Sequence, residues 1–202
     1  MADAEAAQGR DLLPLIDEAV SAGVTLIQLR GKKLQTREFL KKALESAALL
    51  KTKMIPLIIN DRIDIALACG ADGVHLGQDD LPVPYARKLL GPEKIIGISA
   101  GSVDEALHAE TEGADYLGVG PIFHTLSKEG IEEVIGIEGL KTVKARTKIP
   151  ILAIGGIKVE HIHDVISAGA EGIAVISAIL GAEDILGATH DLAQAVAEAK
   201  RQ

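Results

Sequence analysis

Tryptophan is missing from this 202-residue chain, and phenylalanine and tyrosine supply only two residues each. A core built without large rings has to be packed closely from Val, Ile, Leu and Ala, and with 21 glycines that composition favours an α/β domain. The lone cysteine, Cys69, excludes an internal disulfide. Within the apolar run IDIALACGADG it reads as a small buried hydrophobe, which fits a reducing compartment. Cations are also in short supply: 21 Lys and Arg against 29 Asp and Glu leave a formal charge of −8, and no basic run is interleaved with aromatics. The chain as a whole does not attract a phosphate backbone, so no nucleic-acid partner is expected. No apolar stretch reaches the roughly eighteen residues that span a bilayer, and the start MADAEAAQGRD lacks the basic and apolar regions of a signal peptide. The expectation is a soluble cytoplasmic protein with no membrane partner.

What the chain does contain is an alternation of short β-branched runs and longer segments of helical period, the pattern of a parallel sheet crossed over by helices. Strands are expected at 24–30, 54–60, 72–77, 94–99, 115–120, 150–155 and 171–177. They are apolar on successive residues, as when both faces are covered. Between them, DLLPLIDEAVSAG, TREFLKKALESAALLKT, SVDEALHAETEG and HIHDVISAG read as amphipathic helices, with Thr36 and Ser102 as caps. An internal repeat sets Gly23, Gly70, Gly113 and Gly169 at helix ends before a buried strand. Their spacing of 43 to 56 residues is about twice that of a βα unit, about 25–30 residues when some 250 are divided over eight. The fold class is therefore α/β, a TIM-type (βα)8 barrel in a single domain over 1–202. Its first strand is missing or atypical, because residues 1–10 are rich in Ala and acids; they are read as a disordered or atypical N-terminus. An open doubly wound sheet would carry G-x-G-x-x-G after an early strand, and none follows.

In such a barrel the site lies at the C-terminal ends of the strands. Polar or glycine signatures stand at each expected end: Gln28, Arg30 and Lys32; Asn60, Asp61 and Arg62; HLGQDD; Ser99; GPIFHTLSKEG; Gly155 and Gly156; and Ser177. Asp61 and Asp80, from adjacent strands, suit Mg²⁺, which is held by one or two carboxylates with substrate phosphates and water; Asp80 is preferred to Asp79. Arg30, Lys32 and Lys128 suit a diphosphate, and the loops AIGGI and VISAI, through Gly156 and Ser177, suit a monophosphate. Each residue alone also has a plain reading, as a capping carboxylate, a surface cation or a tight turn. Their convergence on one rim favours function. Among the histidines, His75 reads as a hydrogen-bonded core residue, His108 and His190 as solvent-facing, and His161 with His163 as unable to share a helix face. His124, at the rim, could touch substrate. Nothing supports hydrolysis through a side-chain nucleophile.

With these residues in view, the chain from about Asp11 to Asp184 resembles thiamine-phosphate synthase in QLRGK, NDR, GVHLGQDDLP, the GIS strand end, ADYLGVGPIF-x-T-x-S-K, AIGGI and AVISAI. The resemblance implies a transferase of thiamine biosynthesis. Its pyrimidine substrate, hydroxymethylpyrimidine diphosphate, loses diphosphate in a Mg²⁺-assisted step, and the nitrogen of hydroxyethylthiazole phosphate attacks the cation-like methylene to give thiamine phosphate. It implies that Gln28, Arg30, Lys32, Asn60, Ser99 and Lys128 contact the pyrimidine and its diphosphate, with Lys128, Ser99 and Arg30 as the catalytic candidates. Thr125, Ser127, Gly156, Ile176 and Ser177 take the thiazole phosphate, and Asp61 and Asp80 take Mg²⁺. The partners are then two small phosphorylated molecules, and a homo-oligomer is compatible with the reading. The chain departs from the family in T-L-S-K for T-x-T-K, in His124 for a proline, in the loop EGIEEVIGIEG, and in the first strand. The other readings are a thiazole tautomerase-like isomerase, disfavoured by Pro121, and a noncatalytic thiamine-precursor binding barrel.

Overall fold

The structure, a computed structural model, describes residues 1–125 and 133–201. Its elements follow in the order β1 (Ala2–Asp3), α1 (Leu12–Ser21), β2 (Ile27–Arg30), α2 (Thr36–Lys53), β3 (Leu57–Asn60), α3 (Ile63–Cys69), β4 (Gly73–Leu76), α4 (Val83–Leu90) and β5 (Ile95–Ala100). They continue with α5 (Val103–Glu112), β6 (Tyr116–Val119), α6 (Gly136–Arg146), β7 (Ile151–Ile154), a 3₁₀ turn (Val159–His161), α7 (Ile162–Ser167), β8 (Gly172–Ala174), α8 (Ser177–Leu180) and α9 (Ile185–Ala199). All eight strands are parallel and pair in chain order from β1 to β8. The Met1 nitrogen donates to Val175 O at 2.8 Å, bringing the β1 and β8 edges together.

The first strand thus exists, where the sequence offered no apolar run for it. It is two residues long, with Ala2 opposite Leu29 and Asp3 opposite Arg30. Residues that are poor strand formers hold this place because Asp3 meets a cation across the register, which propensity does not see. Thr36 also differs from expectation. The α2 cap is Gln35 without a side-chain bond, and Thr36 is the first helical residue, whereas Ser102 does cap α5 through Glu105 N at 3.2 Å. Cys69 is half-buried, its Sγ 3.7 Å from Ala66 O, and burial pushes its thiol up.

Successive strand residues point to opposite faces, and here the two faces differ completely. Ile27, Leu29, Leu57, Ile59, Val74, Leu76, Ile96, Ile98, Leu117 and Val119 belong to the core shared with the helices. The alternate set, on the barrel interior, is Gln28, Arg30, Asn60, His75, Gly97, Ser99, Tyr116 and Gly118, with Ile58 as its apolar member among these strands. The strands looked largely apolar because the aliphatic outer face dominates, while the inner face interposes only single polar residues and the glycines Gly97 and Gly118.

The doubled repeat has a physical cause at the opposite rim. The residue two after Gly70, Gly113 and Gly169 is Asp72, Asp115 or Glu171, and its carboxylate accepts an N–H from the first or second residue of the preceding strand. Leu57 N to Asp72 is 2.8 Å, Ile96 N to Asp115 is 2.7 Å, and Ile151 N to Glu171 is 2.7 Å. The backbone N–H of each acid returns a bond to the carbonyl of the same strand residue, at 2.8, 2.8 and 2.9 Å. These reciprocal clamps tie β3 to β4, β5 to β6 and β7 to β8. The four repeat glycines all have positive φ, the left-handed turn that ends a helix; an acid follows two residues later at Gly70, Gly113 and Gly169, whereas Thr25 stands there after Gly23.

Candidate active site

At the C-terminal rim, β3 ends in Asn60, 8% exposed, and the chain turns at once through Asp61, whose φ of 61° is left-handed. Asp61 N donates to His75 O at 2.9 Å and Arg62 N to Asn60 O at 2.7 Å, and these bonds hold the unusual turn. The turn directs the Asp61 carboxylate towards Asp80 on the loop after β4. Burial pushes the Asp61 carboxyl above its ordinary value and the neighbouring Asp80 adds to this, while Lys32 pulls the other way. Lys32 Nζ stands 3.5 Å from Asp61 Oδ2. Asp80 Oδ2 in turn accepts from Gly77 N at 2.6 Å. A cleft of about 220 Å³ lined by Gly31, Lys32, Leu34, Phe39, Asn60, Asp61 and Arg62 opens beside this pair.

A carboxylate whose ionisation burial and the neighbouring Asp80 disfavour, with one lysine to offset this, forms with Asp80 a hard-oxygen set that a divalent cation relieves. No cluster of three or more His, Cys, Asp or Glu able to hold a metal occurs among the described residues. That donor set fits Mg²⁺, which usually takes the rest of its ligands from phosphate and water, better than a metal needing a full protein cage.

Arg30 is 13% exposed and is ion-paired with Asp3, with Glu5 Oε2 at 3.6 Å from the same Nη1. The N-terminal acids that weakened the case for a first strand are therefore the partners of a predicted site residue. Ser99, at the end of β5, places its Oγ 2.9 Å from His75 Nε2, and His75 Nδ1 lies 2.9 Å from the Tyr116 hydroxyl. Burial pushes the Tyr116 phenol well above its ordinary value, against the opposing hydrogen bond of the Gln28 amide. Gln78 Nε2 donates to Ser99 O at 2.6 Å and holds the strand end from above.

On the other side of the rim, Ile122 N and Phe123 N donate to Ile154 O and Gly155 O at 2.9 and 3.0 Å, so the loop after β6 lies along the loop after β7. A Cβ at Gly156, whose φ is 63°, would come within 2.5 Å of His124 O, so only glycine allows that approach. The Phe123 ring stacks on His161 with centroids 4.0 Å apart. Thr125 follows on this loop, and Ile176 and Ser177 lie at the junction of β8 with α8. Ser127 and Lys128 lie outside the described residues.

The structure therefore brings together Lys32, Asn60, Asp61 and Asp80 on one side, and Gly156 with the His124–Thr125 loop on the other. His75 sits in the core with hydrogen bonds, and His108 and His190 are exposed, as expected. Four contributors escaped the sequence reading: Tyr116, Gln78, Asp3 and Glu5. For Tyr116 a signal was available, since it shares the inward parity of β6 with Gly118 and faces Gly97 in the register.

A parallel (βα)8 sheet with carboxylates, cations and glycine loops gathered at its C-terminal rim places the chain among the barrel enzymes. The family model for thiamine monophosphate synthase matches residues 1–179, and the chain belongs to that family. It is 51% identical to a thiamine-phosphate synthase of Moorella thermoacetica over 95% of this chain and 91% of that one. It is 52% identical to one of Clostridium acetobutylicum over 91% and 86%. Among solved structures, thiamine phosphate pyrophosphorylase from Pyrococcus furiosus superposes with a TM-score of 0.89 at 41% identity, over 95% of this chain and 92% of that one. Orotidine 5'-phosphate decarboxylase from Pyrococcus horikoshii, 14% identical with a TM-score of 0.68 over 92% and 93% of the two chains, shares the fold alone. No helix among the described residues is long and apolar enough to cross a membrane.

Proposed function

We propose that this protein joins hydroxymethylpyrimidine diphosphate to hydroxyethylthiazole phosphate, releasing diphosphate and giving thiamine phosphate. The observation that carries this reading is the Asp61 and Asp80 pair beside Lys32 at the rim, in a chain about half identical to thiamine-phosphate synthases over nearly its whole length. A bond between the pyrimidine methylene carbon and the diphosphate oxygen breaks, both electrons leaving with the oxygen. The thiazole nitrogen then supplies the pair that forms the new C–N bond. Such a reaction needs negative charge neutralised on the leaving group and the nucleophile held in line more than it needs a general base.

In this reading Asp61 and Asp80 hold Mg²⁺, which supplies positive charge to the diphosphate oxygens. Lys32, Arg30 and Lys128 add cationic donors, Asn60 and Gln28 with Ser99 orient the pyrimidine, and Thr125, Ser127, Gly156, Ile176 and Ser177 receive the thiazole phosphate. Arg30 contributes through a guanidinium whose direction is set by Asp3 and Glu5. A single domain over 1–202 in the cytoplasm completes the reading.

The test is formation of thiamine phosphate by the purified chain from both substrates, with Mg²⁺ and with excess chelator. Product only with Mg²⁺ is expected. Turnover unchanged in chelator overturns the metal assignment, and no product with Mg²⁺ overturns the function.

A further inference from the structure

The strand pairings run from β1 to β8 without returning to β1, so among the described residues no ladder closes the seam between the first and last strands. Bonds of another kind cross it. The Met1 nitrogen donates to Val175 O at 2.8 Å, and beyond β1 the Arg10 guanidinium donates through Nη2 to Leu180 O, the last residue of α8. Arg10 Nε also donates to Ala7 O at 3.2 Å, and Arg10 N donates to the same carbonyl at 3.0 Å. The side chain is thus braced on its own loop while it reaches across the seam.

That loop joins β1 to α1 and, because β1 is parallel to the other strands, lies at the same rim as the site. Its other side is fastened to the β2–α2 connection that carries Arg30 and Lys32. Ala4 N donates to Arg30 O at 2.9 Å, Lys33 N donates to Glu5 Oε1 at 2.8 Å, and Ala6 N donates to Asp3 Oδ1 at 2.8 Å to keep the segment compact. One short stretch therefore spans from the diphosphate side of the rim to α8. In α8, Leu180 N donates to Ile176 O and Gly181 N to Ser177 O, each at 2.9 Å. With only one turn between them, whatever holds the Leu180 carbonyl also holds Ile176 and Ser177.

Joining two substrates by in-line attack depends on how the two half-sites stand relative to each other, and small misplacements are costly. The open seam runs between those half-sites. We infer that Arg10 is a positioning residue: by tying the β1–α1 loop to α8 across the seam, it sets the thiazole-phosphate side against the diphosphate side. Its guanidinium bonds are to backbone carbonyls, so it acts through α8 and not on a substrate. This rests on the two-substrate reading above and gives a part in it to a segment expected to be disordered.

The test compares Arg10→Met with the unmodified full chain. With both substrates saturating and Mg²⁺ present, kcat is expected to fall about tenfold, within the range that displaced reactants produce. Calorimetric affinities for the thiazole phosphate alone, and for inorganic diphosphate with Mg²⁺, are expected to stay within about twofold, a split that general loss of structure would not give. Arg10→Lys keeps a donor for Leu180 O and is expected to recover part of kcat. Amide hydrogen exchange at Leu180 and Gly181 is expected to quicken in Arg10→Met, a readout that needs no turnover. Unchanged kcat in Arg10→Met overturns the proposal. So does a weakened affinity for the thiazole phosphate, which would make Arg10 a ligand of the substrate. Absence of product from the unmodified chain would instead refute the functional reading, and the exchange rates would still decide whether Arg10 holds α8.

Discussion

Gly97 and Tyr116 face each other in the β5–β6 register, and the ring occupies the place a side chain at 97 would take, 2.0 Å from Cζ. Size at one position is thus set by emptiness at the other. Gly97→Ala is expected to cost about 1–3 kcal/mol, as overpacked cores do. Tyr116→Leu, which withdraws the ring tip, is expected to recover part of that loss. Urea denaturation of the two single variants and the double variant measures the coupling; strictly additive losses would mean the ring does not fill that space.

Asp61→Asn and Asp80→Asn are each expected to reduce thiamine phosphate formation by at least about 100-fold, the scale of removing one preorganised electrostatic group. Both are also expected to abolish the rise in melting temperature that Mg²⁺ with diphosphate produces, by removing a ligand bound only to the folded state. A thermal shift retained in either variant would show that its carboxylate is not part of the metal site.

Asp3→Ala leaves the 13% exposed Arg30 without its shortest ion-pair partner, and Glu5 at 3.6 Å replaces it only partly. Breaking such a pair from one side costs about 3 kcal/mol where the remaining charge stays buried. The expected result is a clear drop in urea midpoint together with a lower kcat, since the guanidinium loses its orientation. A drop in stability with unchanged kinetics would separate Arg30 from catalysis.

Burial disfavours the ionised Glu171 carboxylate, but its hydrogen bonds from Lys144 and Ile151 N outweigh this and hold it below its ordinary value. A carboxyl lowered in the folded state stabilises the fold above its unfolded-state value, and that stability disappears as pH falls through the lowered one. The group is 43% exposed, so screening keeps the effect small. Glu171→Gln is expected to cost about 0.5 kcal/mol at pH 7, with the gap to the unmodified chain narrowing towards about pH 3. Parallel denaturation series at the two pH values check this, and a gap that widens on acidification would contradict it.

Residue order alone showed the seven longer strands, the barrel and the polar rim, because those features rest on local periodicity and on which residues end each strand. The first strand was not legible: Ala2 and Asp3 are held by register with Leu29 and Arg30 rather than by preference of their own. Thr36 looked like a cap because a hydroxyl one position from a helix start is indistinguishable from one at it. Tyr116 and Gln78 were missed for a different reason. Their roles depend on reaching across the barrel or over to the next strand, and spacing along one segment does not encode that distance.

The clamps formed by Asp72, Asp115 and Glu171 divide the chain into segments that each satisfy their own strand starts, spanning 57–72, 96–115 and 151–171. Between clamps, as at Gly91–Glu93, no such bond crosses the chain. New termini placed there, with the old ends joined, would leave every clamp inside one continuous stretch, whereas a cut within 61–70 would split one. Circular permutation should therefore be tolerated at about every second connection of this barrel, with the permissive sites lying on the side that faces away from the chemistry.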